Sequence, residues 1–82
     1  MKTSFALKEE ILNGHVHTID EMKAWLQPYG YSDAINEAAI KFILREFVMR
    51  VVSTDNMMNM DMVVERLRPQ LEVTKEDIEP FR

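Results

Sequence analysis

His15-Val16-His17, followed at short range by Asp20 and Glu21, is the one group in this chain with the ligand types of a metal site. Two imidazoles one residue apart in a loop can chelate a divalent ion, and nearby carboxylates can complete a tetrahedron. Structural sites bring four ligands in a recognisable spacing, however, and here the two acids fall where a helix start would use them. The pair therefore reads as loop histidines, with no metal and no other cofactor expected.

Covalent chemistry has little to work with. The chain holds no cysteine, its serines and threonines lie in no nucleophile-elbow context, and its two glycines, Gly14 and Gly30, are too far apart to cradle a phosphate. The paired carboxylates Glu9-Glu10, Asp20-Glu21 and Glu76-Asp77 fall near helix starts or on solvent faces, where the positive end of a helix dipole accounts for them. An active site also needs a pocket of at least about 300 Å³, which so short a chain can seldom spare. No catalytic residue and no small-molecule substrate is expected.

Binding chemistry is better represented. Trp25, Tyr29 and Tyr31 cluster around Pro28, and aromatic rings beside a turn offer large contact area at low entropic cost. Trp25 also fits the apolar face of a helix, which leaves Tyr29 and Tyr31 as candidate contact residues. Met49, Met57, Met58, Met60 and Met62 fall within fourteen residues. Methionine suits surfaces that adapt to a partner. With Met49 and Met60 filling core gaps, Met57, Met58 and Met62 become the expected partner-binding group.

The elements that carry these residues are marked by helix start and stop signals. Thr3 or Ser4 can cap a first helix over residues 4–13, ended by Asn13-Gly14. Thr18-Ile19-Asp20-Glu21 has the form of a capping box, with the Glu21 side chain returning to the Thr18 amide, and Pro28 stops the helix it opens. Ser32 can cap a long third helix over 33–52, whose thirteen apolar residues cover more than one stripe, so it is the element others pack around. Asp55 or Asn59 can cap a fourth helix bearing Met60, Val63, Val64 and Leu67, which Pro69 ends, and Thr74 a final short turn closed by Pro80. Only Leu71-Glu72-Val73 alternates like a strand. The expected fold is all-α: one domain over residues 1–82, a compact bundle of four helices plus a short C-terminal turn. Phe42 and Phe47 are expected in its core.

Composition sets the class. With 46% apolar and 29% charged residues the 82-residue chain should fold, with a stability of no more than roughly 5 kcal/mol unless a partner adds to it. The most apolar stretch, 38–52, is broken by Lys41, Arg45, Glu46 and Arg50 and falls short of the ~20 apolar residues that span a bilayer, so no membrane insertion is expected. No signal-peptide pattern opens the chain, and together with the missing cysteines this gives a cytoplasmic expectation.

Fourteen acidic and ten basic residues give a net charge of −4, with four basic and six acidic side chains in residues 1–41 and six and eight in 42–82. Neither half is a basic arm. The capped helix, glycine turn and second helix within Ile19–Leu44 invite a helix-turn-helix reading, but the second helix opens with Asp33, Asn36 and Glu37, where a groove-reading helix carries basic residues. Arg45, Arg50, Arg66 and Arg68 form a basic patch only if the third and fourth helices lie side by side. The expected role is a small acidic regulatory or adaptor module that binds a protein partner or a second copy of itself, inhibition of a protein partner being one form that role can take. The alternative is a dimeric nucleic-acid-binding regulator. Phosphate contacts lose affinity steeply with salt, so binding of duplex DNA is expected to be absent at about 150 mM salt. A micromolar affinity under those conditions that disappears in Arg66→Ala/Arg68→Ala would select the alternative.

Overall fold

The computed structural model describes residues 2–54 and 57–81. Its elements are α1 (Lys2–Leu12), α2 (Ile19–Leu26), a 3₁₀ turn (Gln27–Tyr29), α3 (Asp33–Val52), α4 (Met60–Leu67), α5 (Lys75–Ile78) and a closing 3₁₀ turn (Glu79–Phe81). The fold is all-α, with five helices of which the last is a single turn, and no strand occurs among the described residues. None of these helices is long and apolar enough to cross a membrane.

Local chemistry sets most boundaries. The Thr18 side chain accepts a hydrogen bond from the Glu21 amide at 3.0 Å, Ser32 Oγ from Ile35 at 3.2 Å, and Asn59 Oδ1 from Met62 at 3.0 Å. Each satisfies one of the amides a helix start leaves without a partner. Thr74 and Asp77 form a reciprocal capping box. Gly14 and Gly30 take left-handed φ values of 80° and 72°, which lets the chain reverse after α1 and after the Pro28 turn.

Two expected caps differ. Thr3 and Ser4 lie in the first turn of α1, not ahead of it, and both are buried, because Thr3 has a tertiary partner in the Tyr31 hydroxyl at 3.1 Å. The Glu21 carboxylate returns to the amide of His17 at 3.1 Å, one residue before the cap. Asp55, the alternative cap for α4, is outside the described residues; Asn59 holds that position.

Every other helix, and the closing 3₁₀ turn, packs on α3. Leu7 and Ile11 of α1, Met22 and Leu26 of α2, and Val63 and Leu67 of α4 meet Ile40, Ile43, Leu44, Phe47 and Val48 of α3 in one cluster, closed below by Leu71, Val73 and Ile78. Leu71 and Val73 point inward because the short segment between α4 and α5 runs extended. It pairs with the α1–α2 connection through a parallel bridge, Thr18 to Glu72, in which the Glu72 amide donates to the His17 carbonyl at 2.8 Å.

Phe42 departs from expectation. It is 55% exposed, whereas Phe47 is 2% exposed. With 3.6 residues per turn, positions 40, 43, 44, 47 and 48 turn toward the neighbouring helices while 42 turns away from them. Met49, expected in a core gap, shares that outward side. Removing the ring of Phe47 is therefore expected to cost about 3–5 kcal/mol, and Phe42→Ala no more than about 1 kcal/mol. Thermal melts of the two variants check this: a larger loss at Phe42 than at Phe47 would reverse the assignment of the two faces.

Candidate functional site

The outward side of α3 carries Ile35, Phe42 and Met49, 44%, 55% and 53% exposed, and beside them α1 presents Phe5. Phe5 and Phe42 line a hollow of about 190 Å³ between the two helices, floored by Ser4 and Ile43. It continues along α3 into a broader groove of about 560 Å³ bounded by Met49, Arg45 and Arg50. A contiguous apolar strip of this kind on a small protein marks an interaction surface more often than an accident of packing.

Three cations frame the strip. Lys8 Nζ lies 3.1 Å from Glu46 Oε2 and 5.2 Å from the centre of the Phe5 ring, so one half-buried ammonium fastens α1 to α3 and steadies the exposed ring. Arg50 places its guanidinium 5.8 Å from the Phe47 ring. Arg45 sits among Phe42, Met49 and Arg50 and makes no ion pair within the described residues. The groove thus offers apolar area with positive charge at its edge.

The residues singled out in the sequence are distributed differently from one another. Tyr29 and Tyr31 are exposed and stack face to face, with ring centres 5.9 Å apart and planes within 2°, and Trp25 packs on Tyr29 at 5.1 Å. The bond from Tyr31 to Thr3 ties this stack to the start of α1. Of the methionines, Met57 is 88% exposed and Met62 is exposed, whereas Met58 is 8% exposed and belongs to the core with Met60. Met58 therefore has no surface to offer a partner.

The four arginines separate. Arg45 and Arg50 line the α1–α3 groove. Arg68 lines a different hollow with Thr18, Lys23 and Val64 and is held 2.7 Å from the Glu65 carboxylate; Arg66 is exposed on α4. The histidines also diverge, His15 Nδ1 lying 2.9 Å from Glu10 and His17 Nδ1 3.1 Å from the Gln70 carbonyl. Among the described residues no three histidine, aspartate or glutamate side chains converge on a common point.

Neither a protein-family model, nor a curated protein sequence, nor a solved structure matches this chain. The site rests on its own geometry. Phe5, Ile35 and Phe42 are not singled out for contact by residue type; the signal that finds them is spacing, since 35, 42 and 49 recur every seven residues on one side of a helix whose other side is buried. Met58 gives the sharpest contrast within the methionine group. Met58→Ser is expected to destabilise the fold by about 2–4 kcal/mol, as loss of a buried methionine does, while Met62→Ser stays within ~0.5 kcal/mol. Denaturant titration of both variants reads the difference, and equal stabilities would return Met58 to the surface.

Proposed function

We propose that this chain is a small protein-binding module, regulatory or adaptor in kind, that works by occupying a surface and not by catalysis. The observation that carries the reading is the exposed strip formed by Phe5, Ile35, Phe42 and Met49 along α1 and α3. Covering the exposed half of one such side chain is worth about 0.7–1.5 kcal/mol, so four of them contribute roughly 3–6 kcal/mol toward the freedom lost on association, and the partner's own apolar side chains add to it. An adjoining protein surface supplies that cover. The cations at the edge call for a partner that meets them with aromatic rings or carboxylates.

The nucleic-acid alternative has less support. A phosphate-binding face needs its cations together, and Arg68 lines a separate hollow from Arg45 and Arg50 with its charge engaged by Glu65.

The test is capture of partners from the cells that make this protein, using the tagged chain, its Phe42→Glu variant and its Met62→Ser variant. A protein held by the parent and by Met62→Ser but lost with Phe42→Glu, at unchanged helical circular dichroism, is the expected result. Retention of the same protein by Phe42→Glu would place binding elsewhere.

A further inference from the structure

We infer that the occupant of this strip is a second copy of the chain, paired antiparallel through α3; the inference rests on the protein-binding reading of the same face. Ile35, Phe42 and Met49 recur at intervals of seven, and Ala38, Arg45 and Val52 follow each of them by three. These are the two seam positions of a heptad repeat, sustained over ~27 Å of helix. All but Val52, which is half-buried at the end of α3, are exposed, and the side opposite them is the packed side bearing Ile40, Leu44 and Phe47. The sequence therefore carries a three-heptad seam that the monomer leaves open.

A two-fold pair must be complementary to itself. In the antiparallel arrangement one register matches every seam residue: Ile35 meets the partner's Val52, Ala38 meets the partner's Met49, and Phe42 meets the partner's Arg45. A small side chain faces a long one in the Ala38 layer. In the Phe42 layer the guanidinium, which has no ion pair among the described residues, gains an aromatic face. The parallel arrangement sets Arg45 against the partner's Arg45 inside an apolar seam, where like charges are penalised. Arg45 thus chooses the direction. Symmetry also keeps both α1 helices on one side of the seam, so each Phe5 extends the apolar strip beside Phe42.

The area is sufficient. Four half-exposed side chains offer on the order of 400 Å² of apolar surface per copy, and Ala34, Ala38, Val52 and the stems of Lys41 and Arg45 bring the strip to roughly 600–800 Å², the lower half of the range for specific interfaces.

The absence of native cysteine makes the register directly testable. Ala38→Cys and Met49→Cys are prepared singly, mixed, and mildly oxidised. A mixed disulfide, recognised by its mass, should exceed either homodisulfide several-fold. Sedimentation equilibrium of the unmodified chain should give twice 9.7 kDa at tens of micromolar, and Phe42→Glu should give the monomer with its helical signal intact. The inference is overturned by a monomeric parent at ~100 μM, by a dimer that survives Phe42→Glu, or by homodisulfides of Ala38→Cys as the main product. If the parent is monomeric while a captured protein is still lost with Phe42→Glu, the second-copy inference fails and the protein-binding reading stands.

Discussion

A twenty-residue apolar helix in a chain this short is the constraint from which the rest of the molecule follows. α3 is roughly 30 Å long, whereas α1, α2, α4 and α5 run to about 16, 12, 12 and 6 Å. Four short elements joined by brief connections can sheathe one side of such a rod but not its circumference. They gather on the side of Ile40, Ile43, Leu44, Phe47 and Val48, where all of them share one core. The outward side is left with Ile35, Phe42 and Met49, which none of the described helices covers.

The short helices in turn hold their places through interactions made at their ends. Thr18, Ser32, Asn59 and Thr74 each satisfy an amide at a helix start, and the pairing of the Glu72 amide with His17 locks two connections against one another. Tyr31 fixes the start of α1 through Thr3, and Lys8 fixes its middle through Glu46. Both of these join residues far apart in sequence, and both lie beside the open strip. The strip is therefore bordered by the interactions that keep α1 aligned with α3.

What the sequence made legible tracks the range of the interaction. Four helix caps lie within three residues of the amides they satisfy, and all four are readable from residue types alone, as is the inward alternation of Leu71 and Val73. Thr3 was not, because its partner is Tyr31, twenty-eight positions away, and a threonine near a chain start looks like a cap. The orientation of α3 was hidden for another reason. Thirteen apolar residues surround it, so hydrophobic periodicity shows that the helix is central without showing which side the short helices choose. Phe42 and Phe47 are alike in type and lie five residues apart, on different sides of the rod. Met58 and Met62, equally alike, separate only once Asn59 fixes where α4 begins and Met60, Val63 and Leu67 turn inward.

An exposed apolar strip is also a hazard, since it can join molecules without limit. The arrangement on α3 limits the ways in which it can be covered. Arg45 interrupts the apolar series two-thirds of the way along, so a sliding or parallel partner leaves that charge unmatched in a dry seam. Only a register that gives it a ring or an acid offsets the cost of burying it. The antiparallel two-fold inferred above would provide this twice, with Arg45 of each copy over the partner's Phe42, and would cover both strips. Association through this face would then close at two. A net charge of −4 on each chain would add a weak repulsion between such pairs. Under that pairing, one cation in the seam would turn a strip open to indefinite association into one with a defined stopping point.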